Sequence, residues 1–174
     1  KLDLIDTFEP NFTFSDKPIN RFEIHNSNDA KDILNKAEKL SKLKKEINSI
    51  ENCNLKKNSK NLVFGDGNIN SPIMIVGEAP GAEEDASSFV FQGEVGKLLD
   101  KMLLAINIKR KNIYITYSIN FRPPGDRKPS SQEIKRYSIF LKNHISIINP
   151  KIVILMGTTA MESVTGLNKK ISNE

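Results

Sequence analysis

The chain has 174 residues, a formal net charge of +5 and one cysteine, Cys53. That length suits a single domain with a real core, and a lone cysteine excludes an internal disulfide and fits a reducing compartment. No apolar run of about 18 residues is present, and the opening KLDLIDTFEP lacks the apolar segment of a signal peptide, so the sequence reads as a cytoplasmic protein with no membrane partner.

The chain begins at Lys1 rather than Met, which reads as a trimmed N-terminus. Residues 1–27 lack periodicity and are expected to form an arm, with Phe8, Phe12, Phe14 and Phe22 capping the core; residues 28–174 are expected to form the domain. Asn28 is the expected N-cap of a helix that carries Ile33, Ala37, Leu40, Leu43, Ile47 and Ile50 on one stripe. Leu62–Phe64 reads as a short strand closed by the turn Gly65-Asp66-Gly67-Asn68.

Ile73–Val76 is an apolar run that reads as a buried strand. It ends in Gly77-Glu78-Ala79-Pro80-Gly81, a loop of the kind that binds ligands at the carboxyl ends of strands in open α/β sheets. Glycines let backbone amides approach a ligand, and Glu78 puts a carboxylate at the loop's mouth. The alternative is a connecting turn followed by a solvated acidic run, Glu83-Glu84-Asp85. The GxGxxG spacing of a dinucleotide site is absent, and Pro80 removes an amide donor. Phe91 is an aromatic tip, and from about Lys97 an amphipathic helix is expected to bury Leu98, Leu99, Met102, Leu103 and Ile106.

Ile113–Ile115 reads as a second buried strand, running into Tyr117-Ser118-Ile119-Asn120-Phe121. The segment Arg122-Pro123-Pro124-Gly125-Asp126-Arg127 cannot be regular structure. It fits either a phosphate-backbone contact, with fixed cations on a rigid turn, or an ordinary basic turn. Between Lys97 and Lys128, eight basic residues face two acidic ones. This excess points to a polyanion partner, although an AT-rich genome also raises Lys content. Ser130 and Glu133 form a capping box for a third helix that carries Ile134, Tyr137, Leu141, Ile145 and Ile148. His144 reads as structural. Ile152–Leu155 is a third buried strand, followed by a short helix capped by Thr158 or Thr159 and ended by Gly166. Alternating strands and helices predict an α/β fold with a central parallel sheet flanked by helices. No zinc, P-loop, nucleophile-elbow or EF-hand pattern is present, so no metal or other cofactor is expected.

The segments NLVFGDGN (61–68), GEAPGAEED (77–85), GKLLDKML (96–103), IYIT (113–116), RPPGDR (122–127) and PKIVILMGTTA (150–160) occur in an order and spacing that resembles the family-four uracil-DNA glycosylases. The similarity extends to their cluster-lacking bacterial relatives, sometimes labelled phage-type DNA polymerase-related proteins. The resemblance implies a four-stranded parallel sheet, of which three strands are visible here. It implies a monomeric base-excision repair enzyme that flips a deaminated base from single- or double-stranded DNA and cleaves its N-glycosidic bond with water. On this resemblance Glu78 positions water or stabilises the cationic sugar. Phe91 stacks on the base, Gly77 and the amide of Ala79 border it, and Arg122, Pro123, Pro124 and Arg127 meet DNA.

The chain also departs from that pattern. The family's four cluster cysteines correspond to Cys53, Lys56, Phe121 and Tyr137, and one thiol cannot hold a four-iron cluster. Tyr117 stands where the family has a base-reading asparagine, Ser88 replaces a glycine and Val90 a proline. A His-Pro loop expected about twenty residues or more past Gly166 does not precede Glu174. Three readings follow: an active glycosylase; a catalytically impaired glycosylase-fold module that binds nucleic acid; and a small-molecule nucleotide-binding enzyme. Tyr117 predicts little or no uracil excision by these residues.

Overall fold

The computed structural model describes residues 26–167. Most of the expected N-terminal arm, with its four phenylalanines, lies outside the described residues, as do residues 168–174. Helix α1, Asn26–Asn48, starts two residues before the expected Asn28 cap. Its apolar stripe docks through Leu40, Leu43 and Ile47, whereas Ile33 is exposed. A single turn, α2 (Asn54–Asn58), buries Leu55.

The sheet has four strands in the order β1-β3-β2-β4. Strands β2 (Ile73–Gly77), β3 (Tyr114–Tyr117) and β4 (Ile152–Leu155) overlap the three expected runs, with β3 beginning after Ile113 and extending to Tyr117. β2 lies between the other two, parallel to both, with Gly77 opposite Tyr117 and Ile75 opposite Ile154. The fourth strand is neither parallel, as the resemblance implies, nor at Leu62–Phe64, where the sequence pattern predicts a short strand. β1 is Gly65–Gly67, antiparallel to β3, and it occupies the stretch that reads as a turn in sequence. The expected strand Leu62–Phe64 is instead an extended lead-in, tied to the chain after β3 by Val63 N–H donating to Asn120 O at 2.9 Å. Glycine makes the edge strand feasible: at Gly67 (φ 106°) a Cβ would stand 2.0 Å from Ile113 O.

Alternation along the strands divides the core in two. Met74, Val76 and Tyr114 point to the face covered by α1, by α5 (Ser131–Ile148) and by Ala160 of α6 (Thr158–Thr165). Ile75, Ile115 and Tyr117 point to the opposite face, under α4 (Glu94–Ala105). The capping box at α5 forms as expected, Ser130 Oγ accepting from Glu133 N–H and Ser130 N–H donating to Glu133. His144 is a core residue: Tyr114 Oη lies 2.8 Å from its Nε2 and Phe64 stacks on it at 4.4 Å.

Two apolar stretches are less buried than their patterns suggest. α4 begins at Glu94, and of its expected core stripe only Leu99 and Leu103 are buried; Leu98, Met102 and Ile106 are exposed. Residues four apart form one narrow line toward the sheet, and the flanking line is left outside. β4 likewise exposes Ile152 and Ile154, because it is an edge strand rather than an interior one. Register places Ile152 beside Ile73 and Ile154 beside Ile75, so these side chains and the exposed flank of α4 share one side of the sheet.

Candidate functional site

β2, β3 and β4 end together, at Gly77, Tyr117 and Leu155. The loops leaving them enclose a pocket of about 600 Å³ whose lining includes Gly77, Glu78, Ala79, Phe91, Tyr117 and Gly157. A larger hollow, about 830 Å³, lies between α1 and α5 and is lined by Lys36, Lys39 and several asparagines. Lys36 there is committed to Ile148 O at 2.9 Å, and no strand end reaches it, so the smaller pocket is the better candidate.

Glu78 is fixed by the N-terminus of α6. Its Oε1 accepts from Thr159 N–H at 2.8 Å, with Thr158 Oγ1 at 3.4 Å. Such a carboxylate both caps orphan amides and meets the positive end of the helix dipole. Gly157 (φ 102°) makes the approach feasible, since a Cβ would lie 2.4 Å from Glu78 Cδ. Lys128 Nζ donates to the same Thr158 Oγ1 at 2.9 Å, adding a cation one hydroxyl away. In sequence, Thr158 and Thr159 read only as helix caps and Lys128 only as one charge in a basic window. The two threonines meet Glu78 across separations of 80 and 81 residues, and Lys128 joins only through Thr158, a link that no local pattern announces.

Of the acidic run only Glu83 is solvated. Glu84 and Asp85 are buried in the short helix α3, Ala82–Ser87. Glu84 accepts from the backbone amides of Gly81, Gln92 and Gly93. Asp85 Oδ1 accepts from those of Lys60 and Asn61. These carboxylates tie the Glu78 loop to the Phe91 turn and to the lead-in before β1.

Phe91 is not an exposed tip: it is 6% exposed and holds a left-handed backbone, φ 48°. Its ring stacks on Tyr117 at 4.9 Å with 25° between planes, and its N–H donates to Tyr117 Oη at 3.1 Å. Tyr117 thus stands beside Phe91 in the wall of the Glu78 pocket. Burial pushes its phenol well above the ordinary range. Gly77 is pressed against both rings, with a Cβ position only 2.7 Å from each. Asn120, also buried, donates to Val63 O and is part of the scaffold.

The Arg122–Arg127 segment forms a tight turn over Pro124–Asp126. Its arginines are engaged within the protein. Arg122 forks onto Asp126 at 2.7 and 2.8 Å, and Arg127 onto Glu133 at 2.7 and 2.9 Å. The hydrogen bonds from Arg127 hold the Glu133 carboxyl down to about 2. Pro123, Arg127 and Lys128 line a small hollow shared with Glu78, Ala79 and Pro80, so the basic turn borders the candidate pocket.

The four positions that the resemblance associates with a cluster do not fit one. Cys53 Sγ lies 3.3 Å from Tyr137 Oη, and Phe121 meets Tyr137 edge-on at 6.5 Å. The space is packed with aromatic rings around one thiol. Among the described residues no group of three or more His, Cys, Asp or Glu side chains is placed to hold a metal ion.

Comparison with known proteins gives a consistent match. The family model described as "Uracil DNA glycosylase superfamily" matches residues 64–173. The type-4 uracil-DNA glycosylase of Archaeoglobus fulgidus is 36% identical over 130 residues, covering 75% of this chain and 65% of the relative. That of Thermotoga maritima is 38% identical over 120 residues, covering 69% and 62%. That of Sulfurisphaera tokodaii is 40% identical over 119 residues, covering 68% and 54%. The chain therefore spans less than two thirds of the length of these relatives.

Proposed function

The chain belongs to the uracil DNA glycosylase superfamily, and on that footing we propose that it binds DNA and hydrolyses the N-glycosidic bond of an extruded, deaminated base. The observation that carries this reading is the Glu78 carboxylate, held by the α6 N-terminus at the mouth of a pocket with aromatic walls. Extrusion is needed because the sugar–base bond is inaccessible within a stacked duplex.

In this reading the C1′–N bond breaks with its electrons leaving on the base, and positive charge develops on the sugar. Glu78 stabilises that charge and orients the water whose oxygen bonds to C1′; the water gives up one proton as that bond forms, and the departing base anion takes up one from solvent. Oε1 is occupied by Thr159 and Thr158. Oε2 receives no hydrogen bond from the described residues, which leaves it for water or sugar. Phe91 provides the flat surface on which the base rests, and Gly77 with the Ala79 amide borders the base edge. Arg122, Pro123, Pro124 and Arg127 lie on the side from which the DNA backbone approaches, with Lys128 between them and Glu78. The partner is uracil-containing DNA, single- or double-stranded, and the protein acts as a monomer in the cytoplasm as part of base-excision repair. No described helix is long and apolar enough to cross a membrane.

A second reading, an impaired module that binds DNA without efficient excision, is favoured by one observation. Tyr117 lies against Phe91 and spends its oxygen's acceptor capacity on the Phe91 amide. A phenol offers no paired donor and acceptor for a uracil edge. The two readings meet in a slow enzyme whose rate Tyr117 limits. Release of free base from uracil-containing oligonucleotides, compared for wild type and Glu78→Ala, tests the primary reading. Glu78-dependent release supports it, and equal release by both proteins refutes it.

A further inference from the structure

We propose that Arg110 is a positioning residue for Phe91, holding its left-handed turn so that the ring stays on the pocket wall. The proposal rests on the reading of Phe91 as the base platform for its functional meaning, but its geometry stands independently. Arg110 begins a single 3₁₀ turn, Arg110–Asn112, just before β3. Its guanidinium reaches away from that turn into the Phe91 loop. Nη1 donates to Phe91 O at 3.3 Å and to Asp100 Oδ1 of α4 at 3.1 Å. Nη2 donates to Val90 O, and Asp66 Oδ2 of β1 lies 3.8 Å away. One planar fork therefore ties two consecutive carbonyls to a helix and an edge strand. A lysine, with a single ammonium centre, cannot reproduce that geometry.

The turn requires such a clamp. A phenylalanine in the left-handed region is strained and persists where surrounding contacts over-determine it. The Phe91 N–H is held by Tyr117 Oη and the next two amides by Glu84. On the α4 side Gly96 allows a very close approach, a Cβ there standing 1.8 Å from Phe91 O. Arg110 supplies the two charge-assisted bonds to the Val90 and Phe91 carbonyls. Without it the Phe91 carbonyl loses its side-chain partner and the Val90 carbonyl keeps only Gln92 Nε2 at 3.1 Å, and the turn can relax toward right-handed backbone, carrying the ring off Tyr117.

Because Phe91 stacks on Tyr117, the Tyr117 ring reports the position of Phe91. The protein has three tyrosines, Tyr114, Tyr117 and Tyr137, so tyrosine-selective labelling gives three assignable ring signals, with Tyr117→Phe identifying the middle one. Removing the Phe91 ring current in Phe91→Leu defines the unstacked position of the Tyr117 signal. Arg110→Gln should move that signal most of the way to the unstacked position while Tyr114 and Tyr137 stay in place. Arg110→Lys, which keeps the charge and guards against a misfolded Gln variant, should move it part of the way. A Tyr117 signal unmoved in both Arg110 variants overturns the proposal. So does a Tyr117 signal that Phe91→Leu itself leaves unmoved, since the stack is then absent in solution. Uracil-DNA binding and base release by Phe91→Leu test the platform reading separately. If Phe91→Leu shifts Tyr117 but leaves both DNA readouts unchanged, the platform reading fails while the Arg110 clamp stands.

Discussion

The Glu78 carboxylate accepts a hydrogen bond from the Thr159 backbone amide at 2.8 Å, joining the loop after β2 to the first turn of α6. The contact is possible because residue 157 is glycine: Gly157→Ala would place a Cβ 2.4 Å from Glu78 Cδ and strain a backbone at φ 102°. We expect Gly157→Ala to displace Glu78 and lower base release by about tenfold or more, as misplacement of a catalytic group does. Unfolding should remain cooperative. Unchanged kinetics in Gly157→Ala would show that this contact does not set the position of Glu78.

DNA binding should depend on salt and be largely indifferent to sequence, since phosphate contacts release counterions. Replacing Arg122 and Arg127 together by Ala should weaken all sequences about equally and flatten the slope of log affinity against log salt by about two. Lys128→Ala should flatten the slope by about one, the same effect per residue. Fluorescence anisotropy over a salt series checks this, and absence of binding at low salt contradicts it.

The purified protein should be colourless and free of stoichiometric iron. The packing of Cys53 against Tyr137, with Phe121 alongside, leaves one thiol where a four-iron cluster needs four cysteine ligands. Visible absorbance with iron matching protein would contradict this.

Burial pulls the His144 imidazole down to about 3 from its ordinary 6.5. Between those values the unfolded chain binds a proton that the folded protein refuses, so stability is full above the ordinary value and is lost as pH falls through the window. The slope approaches about 1.4 kcal/mol per pH unit for a single proton. His144→Gln should be less stable at neutral pH, having lost the Phe64 stack, yet decline less between pH ~7 and ~5. Parallel denaturation curves for the two proteins across that range would rule out this role for His144.

Much of the fold was legible because hydrophobic runs and caps are local signals. The runs at Ile73, Ile113 and Ile152 became the parallel strands, and Ser130 with Glu133 capped α5 as read. What escaped has a physical reason in each case. Gly65–Gly67 has turn composition, but its glycines serve close approach to β3. Leu98 and Met102 fit a helical stripe, yet burial depends on what the sheet covers, which periodicity does not encode. In the site, Glu78, Phe91 and Tyr117 were named from sequence, and the structure brings them to one pocket. The buried work of Glu84 and Asp85, and the reach of Arg110 and Thr159, are long-range contacts invisible to spacing.

Release of free uracil from single- and double-stranded oligonucleotides, followed by alkaline strand cleavage, tests the central claim most directly. The proteins to compare are full-length wild type, Glu78→Ala and Tyr117→Asn. Wild type should excise slowly and Glu78→Ala not measurably. Tyr117→Asn should excise about tenfold faster or more, because a matched polar edge is worth on the order of 1–3 kcal/mol. Excision that survives in Glu78→Ala would contradict the account, as would a Tyr117→Asn protein that binds uracil-containing DNA but releases no base.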